Sequence, residues 1–226
     1  MSLQEKIYFI AGIGTDIGKT FLVEKMCRSL REKKIAVKAV KPVASGFEEG
    51  DKNSDSAKIL AALGVEISQS NLDDITPWRF LEAISPHLAA KNLGQKIDFL
   101  EVKNFCQQKI SQAKKCDQFL FIEAAGGVMT PINEEKTFLD LAAELEIPLL
   151  LVSANYLGSI SHTLCAVEAL KSKKVRIEKI IVNEHLPLSE KNSLTDISAV
   201  VESMQNFSKV KTVLITSAID PETSSG

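Results

Sequence analysis

Lys19 and Thr20 close the stretch Gly12–Thr20 (GIGTDIGKT), and residues of these types in such a turn bind phosphate. Glycines let backbone N–H groups converge on anionic oxygens, and a helix beginning at the lysine adds the positive end of its dipole. Lys19 is placed to reach β- and γ-phosphates, and the Thr20 hydroxyl to ligate Mg²⁺. The spacing departs from the common phosphate loop in one respect. Five residues separate Gly12 from Gly18, where four are usual. A glycine turn that holds no ligand is the plain alternative. The position of Gly-Lys-Thr between an apolar run and an amphipathic segment argues against it.

Three more charged residues sit where ends of elements are expected. Lys41 follows the apolar run Ile35–Val40 and precedes Pro42. It reads as a solvated lysine or as a cation of the site. Glu123 closes the apolar run Phe119–Glu123 (FLFIE) and resembles a Walker B carboxylate that serves Mg²⁺. The small-residue turn Ala124–Val128 behind it lets a phosphate approach the backbone, which weighs against a merely solvated carboxylate. Asp55, after Asn53-Ser54, reads equally as a metal-site carboxylate or as a plain helix N-cap. His87, His162 and His185 have no metal-ligand spacing and read as surface or hydrogen-bonded residues. Trp78 and the other aromatics read as packing rather than as a base-stacking platform.

Bringing these residues together requires strands that all end at one edge. The apolar runs Ile7–Ala11, Ile35–Val40, Phe119–Glu123, Pro148–Ala154, Lys179–Asn183 and Val210–Thr216 read as strands. Between them, helical patterns run over Lys19–Lys33, Ala57–Leu63, His87–Leu93, Phe99–Lys115, Phe138–Leu145, Ile160–Ser172 and Leu194–Gln205. In the helix Phe99–Lys115 the expected apolar face is Leu100, Val102, Phe105, Cys106 and Ile110. Val43–Asn53 reads as a loop, and the pattern weakens between Val65 and Leu100. Strands that are apolar throughout and alternate with helices predict an α/β fold of the P-loop NTPase type. Its sheet is mostly parallel, with helices on both faces. The ligand edge is then the carboxyl ends of the strands.

Composition narrows the class. Of 226 residues, 45% are hydrophobic and 25% charged, which suits one domain with a substantial core over residues 1–226 and a frayed tail at 220–226. The net charge of −2 supplies no basic footprint for nucleic acid, and no apolar run is long enough for a membrane span. Ile7–Ala11 is too short for a signal-peptide core, so the expected location is the cytoplasm. Cys27, Cys106, Cys116 and Cys165 are scattered and read as reduced thiols in or near the core.

Several segments recur together in one family. They are TDIGKT (Thr15–Thr20), VKPVASG (Val40–Gly46), NSD (Asn53–Asp55), SPH (Ser85–His87), EAAGG (Glu123–Gly127) with Thr130-Pro131, LGSISH (Leu157–His162) and the strand end at Asn183. In this order they resemble the ATP-dependent dethiobiotin synthetases of biotin synthesis, over residues 7 to about 185. The five-residue loop spacing is also that family's. The resemblance implies a homodimer that uses 7,8-diaminononanoate, CO₂ or bicarbonate, and MgATP to close a ureido ring, releasing ADP and phosphate. It implies Lys41 and Lys19 as catalytic lysines, and Thr20, Asp55 and Glu123 as Mg²⁺ residues. Nucleotide contacts fall to Thr15, Asp16, Ile17, Gly18, Lys19, Thr20, Phe21, Asp55, Glu123, Ala124, Ala125, Gly126, Asn183 and Glu184, with Asn183 reading the adenine edge. Substrate contacts fall to Ser45 and, from the partner subunit, to Leu157, Gly158, Ser159 and Ser161.

The chain departs from the family at four places. Asp16 stands where Glu is frequent, Ala124 where a glycine is usual, and Ser161 where Asn is frequent. Ile215–Glu222 lacks the usual Gly-x-Ile-Pro segment of the later nucleotide loop. Two rival readings share the fold. One is another ATP-dependent ligase of the superfamily, though no glutamine-hydrolysing domain accompanies this chain. The other is a dimeric nucleotide switch of the partition type, which usually carries a second lysine early in the loop; Gly12–Ile17 has none.

Overall fold

The computed structural model describes residues 5–184 and 196–215. In chain order its elements are β1 (Ile7–Gly12), α1 (Lys19–Glu32), β2 (Val37–Val40), β3 (Val43–Ser45), α2 (Asp55–Leu63), α3 (Gln69–Ile75), β4 (Trp78–Phe80) and α4 (Pro86–Asn92). There follow α5 (Phe99–Lys115), β5 (Phe119–Glu123), α6 (Phe138–Leu145), β6 (Leu149–Ala154), α7 (Ser159–Ser172), β7 (Ile177–Asn183), α8 (Ile197–Ser208) and β8 (Thr212–Ile215).

Six strands form one sheet in the order β2-β5-β1-β6-β7-β8, every pairing parallel. Successive strand residues face opposite sides, yet β1 and β6 are buried at every position. Both faces of the sheet centre are therefore covered, which is why IYFIAG and LLLVSA show no polar alternation. The order reverses direction around β1, whose neighbours are β5 and β6. In an open parallel sheet that reversal leaves a crevice beyond the carboxyl ends of the strands. Register decides what meets there: Ile10 lies opposite Glu123, and Gly12 opposite Val152. The glycine turn after β1 and the carboxylate ending β5 are thus brought level.

Local chemistry sets the helix starts. Ser54, Ser68 and Asp98 cap α2, α3 and α5 with side-chain oxygens on backbone N–H groups. Thr137 and Asp140 form a reciprocal capping box on α6. α1 has no side-chain cap; it begins at Gly18, whose φ of 91° only glycine adopts freely. Its first-turn N–H groups are thereby left facing the glycine turn.

Several expectations are corrected. Val43–Ser45 is not loop but β3, which pairs in parallel with β4 in a two-stranded sheet beside the main one. Between them α3 forms where no helix was expected. β2 starts at Val37 rather than Ile35, and Lys41 stands one residue past its end. Leu100 is exposed and is no part of the core face of α5, whose buried residues are Phe99, Val102, Cys106, Ile110 and Ala113. Cys116 and Cys165 are exposed rather than in or near the core. Cys27 and Cys106 are buried, and burial pushes each thiol up to about 12, which makes them inert as nucleophiles. Trp78 packs edge-on against Phe105, ring centres 5.9 Å apart, as packing rather than as a platform. Thr216, Leu194, His185, the tail at 220–226 and all of Ile215–Glu222 beyond Ile215 lie outside the described residues. No helix among the described residues is long and apolar enough to cross a membrane.

Phe121 is fully buried at the middle of β5 and stacks near Tyr8 of β1, with ring centres 6.5 Å apart. Phe121→Ala should cost ~3–5 kcal/mol by transfer and cavity terms together. Urea unfolding checks this as a lower midpoint with an unchanged slope.

Candidate active site

The site is built at the carboxyl edge of the sheet from three sources. β1 and the start of α1 supply Lys19 and Thr20, the first residue past β2 is Lys41, and β5 ends on Glu123. Asp55 joins them because Ser54, not Asp55, caps α2. With the cap role taken, the Asp55 side chain in the first turn is free to face the crevice, where the helix dipole also favours a carboxylate.

Lys41 lies at the centre. Its ammonium donates to Glu123 Oε1 at 2.9 Å and to Asp55 Oδ2. The Lys41 side chain is 7% exposed and that of Glu123 0%, so this is an interior ion pair, whereas Asp55 opens to solvent at 43%. Thr20 Oγ1 donates to the same Glu123 oxygen at 2.7 Å. Burial opposes the charge on Lys41, but Glu123 and then Asp55 outweigh it and hold the ammonium above the ordinary lysine range. Burial likewise opposes ionisation of Asp55, and the charge and hydrogen bond of Lys41, with Thr20, bring its carboxyl below the usual range. Lys41 is thus a fixed cation and not a base.

Lys19 differs from Lys41. Burial first, and the neighbouring Lys41 charge second, push it down to about 8, against the pull of Glu123, Asp55 and Asp16. Its ammonium donates to the Gly14 carbonyl at 2.8 Å, which bridges the glycine turn. An incoming anion would favour the charged form of Lys19. At Gly18 an added Cβ would come within 2.0 Å of Asn183 Nδ2, so the turn and the end of β7 are fitted to a glycine.

The oxygen set suits Mg²⁺, which favours one or two carboxylates plus a hydroxyl and phosphate oxygens. Thr20, Asp55 and Glu123 offer that set. Glu123 Oε2 is buried with no hydrogen-bond partner among the described residues, an acceptor left over for a ligand. No group of three His, Cys, Asp or Glu gathers among the described residues, so the protein alone offers few ligands.

The other expected residues divide. Thr15 and Asp16 are exposed on the turn, Ile17 is buried beneath it, and Phe21 is half-buried on α1. Asn183 is buried, and its Nδ2 donates to the Ile17 carbonyl at 3.2 Å, so it lies under the phosphate turn. Glu184 is exposed and bonds through its N–H to the Ile215 carbonyl. Ala124 and Ala125 are buried and Gly126 is half-buried; the methyl of Ala124 is absorbed by the interior while its N–H bonds Ile10. Ser45 is half-buried on β3. Leu157, Gly158, Ser159 and Ser161 form the turn into α7 at the same sheet edge, and none of them hydrogen-bonds the lysine cluster. Leu157 stands fully exposed there.

Two positioning contacts add to the sequence reading, which marks Thr130 only as part of the Thr130-Pro131 segment and assigns it no contact. Thr130 Oγ1 accepts from the Gly127 N–H at 2.8 Å and holds the turn behind Glu123. The signal was available as a threonine three residues after a glycine pair. The Ile75 carbonyl accepts from the Lys41 N–H at 3.0 Å, and nothing in the sequence marks it.

A protein-family model described as an AAA domain (AAA_26) matches residues 6–223. The chain is 39% identical over 183 residues to the ATP-dependent dethiobiotin synthetase BioD of Acidiphilium cryptum (strain JF-5), across 80% of this chain and 81% of that one. It is 38% identical over 180 residues to the protein of the same name from Methylobacterium nodulans (strain LMG 21967 / CNCM I-2342 / ORS 2060), across 78% and 80%. Among solved structures, the MinC:MinD cell division protein complex of Aquifex aeolicus is similar with a TM-score of 0.57, at 15% identity over 95% of this chain and 82% of that chain. That likeness is one of fold. Similarity at this level along most of the sequence, on a P-loop sheet with two lysines at its carboxyl edge, means that the chain belongs to the ATP-dependent dethiobiotin synthetase family.

Proposed function

We propose that this chain makes dethiobiotin from 7,8-diaminononanoate, CO₂ (or bicarbonate as its source) and MgATP, with ADP and phosphate as the other products. The observation that carries the reading is the buried Lys41 ammonium, held by Asp55 and Glu123 next to the phosphate turn that ends in Lys19 and Thr20. Phosphoryl transfer asks for positioning and charge neutralisation rather than covalent help, and this cluster is built for both.

The reaction has three parts. An amine of the substrate adds to CO₂, giving a carbamate and losing a proton. A carbamate oxygen attacks the γ-phosphorus, the bond to the β-phosphate oxygen breaks, and ADP leaves. The second amine then attacks the carbamate carbon and gives up a proton, phosphate departs with the electron pair of the C–O bond, and the ring closes. Lys41, a permanent cation, stabilises the carbamate and the charge spread over the phosphoryl oxygens. Lys19 leaves the Gly14 carbonyl for the phosphates, where anionic oxygens hold its proton. The backbone of Thr15–Thr20 cradles the phosphates, Asp16 stands near them, and Phe21 flanks the turn. Thr20, Asp55 and Glu123 would hold Mg²⁺, which would neutralise phosphate charge.

Ser45 contacts the substrate. The turn Leu157–Ser161 reaches the substrate carboxylate of a second copy, which makes a homodimer the working unit. Its exposed Leu157 fits burial against that copy. Ala124, Ala125 and Gly126 line the phosphate side, and Asn183 with Glu184 the base side. Reduced thiols and an ordinary soluble composition fit a cytoplasmic enzyme.

ADP release should depend strongly on diaminononanoate plus bicarbonate, measured by coupled assay. Equal turnover with and without them would instead favour a nucleotide switch. Lys41→Ala should lower kcat by at least ~10²-fold. Because it strands the buried Glu123 carboxylate at a cost of ~3–5 kcal/mol, kcat is to be read where circular dichroism shows native fold. Near-normal kcat would remove Lys41 from the mechanism. Ser161→Asn should leave the KM for diaminononanoate unchanged or lower; a large rise would mean that the turn Leu157–Ser161 has been misplaced in the site.

A further inference from the structure

The oxygens that suit a divalent cation are already occupied by a cation of the chain itself. Lys41 Nζ bonds Asp55 Oδ2 and lies 2.9 Å from Glu123 Oε1, the oxygen that also accepts from Thr20 at 2.7 Å. Glu123 carries two donors on one oxygen and none on the other, although the side chain is wholly buried. Burying an acceptor without a partner is unfavourable, so the free oxygen is an unmet acceptor that the ammonium does not satisfy.

Charge decides which ligand can enter. The ammoniums of Lys41 and Lys19 balance the carboxylates of Asp55 and Glu123, and Asp16 and Lys58 add one charge of each sign nearby. A free divalent cation thus meets carboxylates that are already neutralised. Taking them would leave the Lys41 ammonium buried and unpaired, which is strongly unfavourable. Two carboxylates and a hydroxyl also leave about half of an octahedral metal's positions to other oxygens. A metal carried on a triphosphate differs on both counts. The phosphates complete its ligands and bring the negative charge on which Lys41 and Lys19 can close.

We propose that Lys41 determines the form in which the metal is admitted, occupying Asp55 and Glu123 as an internal cation and yielding them only to a metal–nucleotide complex. Lys41 is a specificity-determining residue for metal–nucleotide over free metal, in addition to its role toward the reacting groups. Nucleotide arrival is then the event that releases the ammonium toward substrate. This rests on the reading of Thr20, Asp55 and Glu123 as metal residues in an ATP-dependent synthetase.

The test is Mn²⁺ binding to nucleotide-free protein, followed by the electron paramagnetic resonance of free Mn²⁺. Wild type should bind Mn²⁺ weakly alone and tightly with a non-hydrolysable ATP analogue. Lys41→Gln and Lys41→Met should bind Mn²⁺ without nucleotide at least ~10-fold more tightly than wild type, since a neighbouring full charge has been removed. Adding Glu123→Gln to Lys41→Gln should abolish the gain. Single variants that bind free Mn²⁺ no better than wild type, or a wild type that binds it tightly alone, would overturn the proposal. If both single variants are unfolded in metal-free buffer, recovery of native circular dichroism on adding Mn²⁺ supports it, and no recovery overturns it. Wild-type turnover of diaminononanoate is measured separately, so a failed synthetase reading is distinguishable from a failed metal-admission role.

Discussion

The ion pair between Lys41 and Glu123 is the constraint around which the site is arranged. Glu123 is wholly buried at the end of a central strand, where a carboxylate without a partner is costly. Lys41 supplies that partner from the neighbouring strand β2, which pairs with β5 in parallel with Val40 opposite Ile122. Side-by-side strand ends thus bring a cation and an anion together without any loop having to fold over them. Such a pair contributes little net stability, because desolvation offsets most of the attraction. What it provides is a cation and an anion side by side at the sheet edge.

The remaining parts follow from where the chain can present polar groups at that edge. Ser54 takes the capping duty at the start of α2, and Asp55 is thereby released to face Lys41. Gly18 begins α1 with no side-chain cap, which leaves backbone donors for a ligand in place of a serine or aspartate oxygen. Asn183 packs against that same glycine and ties the turn to the end of β7. Thr130 restrains the turn behind Glu123. Each is a short-range device, and together they fix the crevice between β5, β1 and β6.

The sheet and most helices were legible because long apolar runs and helical periodicity survive without knowledge of neighbours. Phe99–Lys115, Phe119–Glu123 and Phe138–Leu145 have the boundaries that the sequence suggested. What escaped was whatever depends on distant partners. β3 and β4 have three residues each and exist only because Val43–Ser45 finds Trp78–Phe80 far along the chain. α3 buries only Leu72 and Ile75, too few to show a period. Leu100 is apolar in type, yet it lies on the solvent side of α5 and is 61% exposed. At the site, local context pointed to Lys19, Thr20 and Glu123, whereas it left Lys41 open to a solvated role and Asp55 to a plain cap. The Thr20–Glu123 hydrogen bond, spanning 103 residues, could not be read there.

Residues on both sides of Lys41 are immobilised. Its own N–H is tied to the Ile75 carbonyl, β2 precedes it in the main sheet, and β3 follows within two residues in the smaller one. The α-carbon is therefore anchored like a post between two fences. Any travel of the charged tip must come from rotation about the four methylene carbons. Such torsional hops need no hinge. The ammonium can change partners while the polypeptide beneath it stands still.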